Sequence, residues 1–178
     1  MVETQDNRHS RRLFLALWPN SSERRQIADL ARPLTVGREV IVENLHLTLV
    51  FLGNTDSKRQ QCYERVLQDI QAPSFTLTLD AIGYWPKPRI LWLGTSQPSN
   101  DLADLVKDLH ERLSGCGFKP ETRPFNAHVT LARRFPGPPP IKAMTQPISW
   151  FIQRIALVES CPQAGRVHYR VLRYWPEH

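Results

Sequence analysis

Asn44-Leu45-His46-Leu47-Thr48-Leu49 and Asn126-Ala127-His128-Val129-Thr130-Leu131 are two copies of one pattern, Asn-x-His-x-Thr-Leu, set in the two halves of a 178-residue chain. Each copy lies in an apolar stretch with β character, where residues two apart project from the same face of an extended strand. Each strand therefore presents a His and a Thr together. A fold that brings the strands side by side makes two imidazoles and two hydroxyls converge on one cleft, an apparatus suited to general acid–base chemistry on a phosphate. With 6 His and 10 Thr in the chain, composition alone gives roughly 0.3 His-x-Thr triplets. The repeat is therefore not an accident of composition, although an internal duplication can preserve a packing motif as well as a site. Strand alternation predicts that Leu45, Leu47, Leu49 and Phe51 pack one way while His46 and Thr48 face the other, with the same parity for Val129 and Leu131 against His128 and Thr130.

Outward from the two motifs, the chain reads as alternating elements. Leu13 to Trp18 is a strand stopped by Pro19, and Asn20, Ser21 and Ser22 cap a helix expected to end at Ala31 or Arg32, before Pro33. The first motif strand, Leu45 to Leu52, is turned by Gly53-Asn54 into a helix from Asp56 to Ile70. Phe75 to Leu79 and Ile90 to Leu93 are expected as neighbouring strands across the Pro86-Lys87-Pro88 loop. Ser99 and Asn100 cap a helix through Leu102, Leu105, Val106, Leu109 and Leu113 that ends at Gly115 or Gly117. After the second motif strand, Pro136 to Pro140 reads as a stiff surface loop, and Ile148 to Val158 and Val167 to Trp175 as two closing strands. This order is α+β: one domain over residues 1–178, bilobal, with two pseudo-symmetric lobes of antiparallel sheet plus helices that each supply one motif strand to a central cleft.

Composition narrows the partners. Lys and Arg total 23 against 17 Asp and Glu, and 18 of the cations are arginine, whose planar fork suits phosphate better than a lysine point charge. A soluble basic surface explains the charge equally well. The helix charges Arg24-Arg25 and Lys58-Arg59 read as solvated faces, some of them able to guide an RNA backbone. Cys62, Cys116 and Cys161 are widely spaced, form no Cys-x-x-Cys pair, and imply neither a zinc knuckle nor a disulfide framework, which fits a reducing compartment. The leader from Met1 to Arg12 lacks the apolar core of a signal peptide, and no run approaches a membrane span. The expectation is a cytoplasmic monomer without membrane association.

The paired motifs resemble those of the two-histidine phosphoesterases, and within them the RNA 2′,3′-cyclic phosphodiesterase group, also known as 2′-5′ RNA ligases. Further agreement runs along nearly the whole chain: Arg12 to Ala16, Phe51-Leu52-Gly53, Trp92, Phe125 to Arg133, and Ser160, Gly165 and Tyr169. One departure is Ala127, where the family usually has proline before the second His. It alters backbone stiffness and leaves the reactive groups in place. The resemblance implies a bilobal fold with the motifs facing across a cleft. It also implies hydrolysis of RNA or nucleotide 2′,3′-cyclic phosphates to 2′-phosphates, and in reverse a 2′-5′ ligation.

In that chemistry His46 and His128 are the catalytic pair, with His128 as base for water and His46 as acid for the departing 3′ oxygen. Thr48, Thr130 and Arg133 bind the phosphate, and Phe14, Trp92 and Tyr169 are candidates to flank the base or ribose, although core packing explains each of these aromatics as well. Regular alternation would turn Arg133 away from His128 and bring Arg134 round, unless a bulge or strand end intervenes. No metal and no cofactor is called for. Two alternatives stand beside the enzyme: a non-catalytic nucleotide- or RNA-binding module, and a metal-dependent phosphohydrolase using His46, His128 and a carboxylate such as Glu43 or Glu159. His9, His110, His168 and His178 lack the following Thr and read as ordinary polar residues.

Overall fold

The computed structural model describes residues 10–35, 39–71, 73–138, 146–163 and 165–177. Strand β1 (Arg11–Leu17) leads into helix α1 (Ser21–Thr35). Asn20 Oδ1 accepts from the amides of Ser22 and Glu23, at 2.8 and 3.0 Å, while the Glu23 carboxylate accepts from the Asn20 amide at 2.8 Å. This reciprocal pairing satisfies the orphan donors of the first turn. Helix α1 continues through Pro33 instead of stopping before it: Ile27, Ala31 and Thr35 are buried, and Thr35 Oγ1 donates to the Ala31 carbonyl at 2.9 Å. A 3₁₀ turn (Val42–Asn44) precedes β2 (Leu47–Thr55), and Asp56 caps α2 (Ser57–Leu67). Then come β3 (Phe75–Leu79), β4 (Ala81–Trp85), β5 (Ile90–Gly94), and α3 (Asn100–Ser114), capped by Ser99. The chain closes with β6 (His128–Arg133), β7 (Ile148–Ile152), β8 (Ile155–Gln163) and β9 (Arg166–Trp175).

The fold is α+β, its sheets antiparallel throughout the described pairings. Seven strands run in the order β4-β5-β6-β2-β1-β8-β9, and β3 pairs with β7 apart from them. The long sheet is pinched at its centre, where β2 and β6 share the single pair Leu47↔Val129. Two wings thus meet at the two motif strands. On β1, Leu13, Leu15 and Leu17 enter the main core with Ile27 of α1, Tyr63 of α2 and Leu109 of α3. Phe14 and Ala16 face the opposite way, joining Ala156 and Val158 in a smaller cluster edged by Trp18, Tyr169 and Tyr174.

Several expectations need correction. Phe75–Leu79 does not pair with Ile90–Leu93: it pairs with Ile148–Ile152, and the partner of β5 is Ala81–Trp85, whose glycine and weak alternation hid it. Ile148 to Val158 is two strands, broken at Gln153-Arg154, which belong to different sheets. Gly53-Asn54 does not end β2. Leu52 has no partner between Leu13↔Gly53 and Phe14↔Phe51, and Gly53, at φ +71°, carries this bulge. A second bulge at Leu49 reverses the parity of the strand, so Val50 and Leu52 are buried and Phe51 is turned out of the core. Cys62 and Cys116 are joined in a disulfide, leaving Cys161 as the free thiol among the described residues. Sequence spacing could not foresee that bond, because α2 meets the C-terminal end of α3 only in the fold. The N-terminal leader through residue 9, Pro139 and Pro140 of the proline-rich loop, and His178 lie outside the described residues.

Candidate active site

The pair Leu47↔Val129 is the pivot of the site. In an antiparallel register, the residues flanking such a pair lie opposite one another, so His46 faces Thr130 and Thr48 faces His128, all four on the side away from Leu47 and Val129. Leu47, Leu49, Val129 and Leu131 are buried beneath them, as the alternation predicts. His46, Thr48, His128 and Thr130 all line a cleft of about 1800 Å³.

Both imidazoles are oriented by the motif asparagine two residues earlier. His46 Nδ1 lies 2.6 Å from the Asn44 carbonyl oxygen, and His128 Nδ1 lies 2.8 Å from that of Asn126. A carbonyl can only accept, so each Nδ1 donates and each Nε2 is left to do chemistry. Thr48 Oγ1 lies 3.0 Å from His46 Nε2 and donates to it when the ring is neutral. The Asn44 side chain makes two further bonds. Its Nδ2 donates to the Val167 carbonyl at 2.6 Å, and its Oδ1 accepts from the Tyr169 amide at 3.1 Å. This buried amide ties β9 to the first motif, a role that sequence reading, intent on the His and Thr, did not give it.

Aromatic side chains enclose His46: Phe14 at 4.9 Å between ring centroids, Tyr169 edge-on at 5.0 Å and Trp18 stacked at 5.6 Å. Burial pushes its pKa down to about 4, opposed by the bond to Asn44 and reinforced by the positive charges of Arg133 and His128. His128 is also lowered, first by burial and then by Arg133, with its bond to Asn126 opposing. Trp85 meets the His128 ring edge-on at 4.5 Å. The two histidines therefore share one electrostatic neighbourhood with Arg133.

Arg133 reaches the cleft because of a bulge. Across β5 and β6 the register jumps from Leu91↔Ala132 to Trp92↔Thr130, leaving Leu131 without a partner and bringing Arg133 to the face of His128. Arg134 is absent from the cleft lining and turns away at φ +55°, where Arg89 donates to its carbonyl.

Of the aromatic candidates, Phe14 and Tyr169 line the cleft against His46. Trp92 does not. It shares the sheet face of Thr130, but its ring fills the space over Gly83 and Gly94 and backs onto Trp85 at 5.4 Å. The aromatic at His128 is thus Trp85. Glu159 is engaged by Arg11 and Arg170, outside the cleft lining, and no group of three or more His, Cys, Asp or Glu able to hold a metal occurs among the described residues. Arg12, Arg59, Lys119, Arg123 and Arg166 extend the cationic lining, against the acids Glu39 and Glu121. Arg59, read from sequence as a solvated helix charge, donates to Tyr63 Oη at 2.8 Å and to the Gly117 carbonyl at 3.3 Å.

Residues 19–160 match the model of the 2′-5′ RNA ligase superfamily, a span that includes both motifs. The chain belongs to the 2′-5′ RNA ligase superfamily. Among its superfamily relatives is the RNA 2′,3′-cyclic phosphodiesterase of Escherichia coli K12, 34% identical over 92% of this chain and 95% of that protein. Another, from Archaeoglobus fulgidus, is 29% identical over 68% of this chain and 72% of its own length. Solved structures agree in fold: a phosphoesterase crystal structure has a TM-score of 0.86 at 32% identity, covering 94% of this chain and 98% of that one. Escherichia coli LigT complexed with 3′-AMP has a TM-score of 0.80 at 33% identity with the same coverage.

Proposed function

We propose that the chain is an RNA 2′,3′-cyclic phosphodiesterase that opens terminal cyclic phosphates of RNA or nucleotides to 2′-phosphomonoesters. The observation that carries this reading is the pairing at Leu47↔Val129, which puts two His-x-Thr sets on one face of one cleft, with both Nδ1 atoms held by backbone carbonyls and the Nε2 of His46 set against Thr48 Oγ1. Two relatives named RNA 2′,3′-cyclic phosphodiesterase and the 3′-AMP complex of Escherichia coli LigT support it. A binding module without turnover has no use for two imidazoles held by the same device.

In the reaction, a cyclic phosphate lies between the histidines with its non-bridging oxygens on Thr48, Thr130 and Arg133. His128 Nε2 takes a proton from water as the water oxygen attacks phosphorus. The bond from phosphorus to the 3′ oxygen breaks, and His46 Nε2 supplies the proton that leaves a 3′ hydroxyl and a 2′-phosphate. An RNA 5′ hydroxyl in place of water, attacking the same cyclic phosphate as the bond from phosphorus to the 3′ oxygen breaks, would give a 2′-5′ bond and a 3′ hydroxyl. Unliganded His46, with a pKa of about 4, is neutral at pH 7, so the anionic phosphate must raise it on binding. The pH profile of kcat/KM, which reports the free protein, is then shifted to acid relative to that of kcat. A substrate with an acidic aryl leaving group separates the roles: His46→Ala recovers much of its lost rate on it and His128→Ala does not. Equal losses on both substrates would refute the assignment.

No helix of the described residues is long and apolar enough to cross a membrane. The reading carries a single domain working as a monomer in the cytoplasm; the Cys62–Cys116 disulfide is the observation that stands against a reducing compartment. Alkylation of intact cells before lysis tests the compartment, since it finds those two cysteines as free thiols only if the cytoplasmic reading is right.

A further inference from the structure

Trp18 and Gly94 stand in corresponding places beside the two histidines. One step beyond Leu17↔Leu47 in the antiparallel register Trp18 comes opposite His46, whereas Gly94 is paired directly with His128. The indole lies nearly parallel to the His46 imidazole, at 19° and 5.6 Å between centroids. No ring can take the same place at His128, because a Cβ on Gly94 would come within 2.8 Å of the Ala127 carbonyl oxygen and would meet the Trp92 ring. Trp85, which does touch His128, meets it edge-on and belongs to the cleft wall. Trp18 is absent from that wall. It lines a separate cavity of about 120 Å³ with the polar side chains of Asn20, Glu23, Gln153 and Arg154. The indole thus has His46 against it and a polar cavity beside it. Helix α1 braces it there: the Arg24 guanidinium sits over the indole, 5.7 Å from the ring centroid, and Arg24 Nη2 donates to the Pro19 carbonyl at 3.0 Å.

We infer that Trp18 is a positioning residue: it holds the plane of the His46 imidazole and closes it from water on the side away from the cleft, setting His46 apart from His128 as the acid. This rests on the cyclic phosphodiesterase reading above. A duplicated motif gives both imidazoles the same asparagine carbonyl and the same strand geometry, so a difference in role must come from neighbours outside the motif. The cross-strand neighbours supply one. The other charged and titratable groups about His46 are Arg133 and His128 of β6, Tyr169 of β9, and Glu23, Arg24 and Arg154 around the indole. Arg133 and His128 oppose its protonation and remain when Trp18 is replaced, so a change at His46 in such a variant reports the indole. A ring held in plane keeps Nε2 aimed at the departing oxygen, and that alignment acts on turnover more than on binding.

The test follows the imidazole protons of His46 and His128 by NMR as pH is lowered, in wild type, W18A, W18L and W18F, and measures kcat and KM on two substrates. Adenosine 2′,3′-cyclic phosphate needs a proton on its departing 3′ oxygen. 3′-Deoxyadenosine 2′-(4-nitrophenyl phosphate) does not, because 4-nitrophenolate leaves unprotonated. In W18A and W18L the His46 midpoint is expected to rise by about one pH unit as water reaches the ring, with that of His128 nearly unchanged. On the cyclic phosphate kcat falls by about tenfold or more with KM little altered, while the aryl ester keeps most of its rate. W18F, which keeps a ring face, restores both readings. W18L keeps apolar bulk where W18A leaves a hole, so the comparison survives a poorly folded W18A. An unmoved His46 midpoint, or an equal fall in kcat on both substrates, overturns the inference and leaves the hydrolase standing. A wild type inert toward both substrates overturns the reading on which the inference rests, and the midpoints alone then decide whether the indole sets His46 apart.

Discussion

His46 holds its Nδ1 proton against the Asn44 carbonyl inside a ring of aromatic side chains, and burial there brings its pKa from 6.5 to about 4. In the unfolded chain the same imidazole takes up a proton as pH falls below about 6.5, while the folded protein refuses it until about 4. Stability from this site is therefore present above pH 6.5 and lost as pH falls through that window, by up to about 3 kcal/mol. His128 contributes with the same sign. Urea denaturation at pH 7.5 and 5 is expected to show the loss in wild type and a smaller loss in His46→Gln; equal losses would mean that His46 is not held neutral by burial. In catalysis, His46→Ala and His128→Ala should each lower kcat by about 10² to 10⁴, the usual worth of a positioned acid or base. Single-turnover rates at saturating substrate check this without interference from binding.

Two strands and one turn set the precision of the site. The 3₁₀ turn before β2 is tied to β9 by both ends of the Asn44 amide. Asn44→Ala leaves the Val167 carbonyl and the Tyr169 amide without that partner, which costs about 1–3 kcal/mol and frees Tyr169 from its edge contact with His46. A thermal melt should show the lost stability and turnover should fall with it; Asn44→Ala with normal turnover would make the clip purely structural. The periodicity of β2 and β6 was legible in the sequence because His46, Thr48, His128 and Thr130 obey strict alternation. It misled at Phe51, because a bulge leaves no mark in a run of Leu, Val and Phe, where either parity buries an apolar side chain. The bulge at Leu131 is equally silent, and only the family pattern favoured Arg133 over Arg134. Strand β4 was missed because Gly83 has no side chain to alternate; its value lies in the room it gives Trp92. The Cys62–Cys116 bond and the cleft position of Arg59 depend on α2 packing by the end of α3, a contact that no local pattern encodes.

Across the whole molecule, the two wings meet at one strand pair and the cleft lies over that junction. The cleft wall carries Arg12, Arg59, Lys119, Arg123 and Arg166 beyond the two His-x-Thr sets, so under the proposed function a longer RNA end meets more cations than a mononucleotide does. For single strands, the logarithm of affinity falls with the logarithm of salt by about 0.7 per phosphate neutralised. The expected outcome is a steeper salt dependence of kcat/KM for an oligonucleotide than for a cyclic mononucleotide, with the difference reduced in Arg12→Ala. Parallel slopes would mean that the cations serve the terminal phosphate alone. Whether His46 and His128 act together on one phosphate is decided by hydrolysis of an RNA oligonucleotide ending in a 2′,3′-cyclic phosphate, in chelator, by wild type and the two alanine variants. Wild type is expected to form a 2′-phosphate product with a bell-shaped pH profile, and both variants to lose it. Turnover near the wild-type rate in either variant, or turnover that requires added metal, would contradict a two-histidine mechanism.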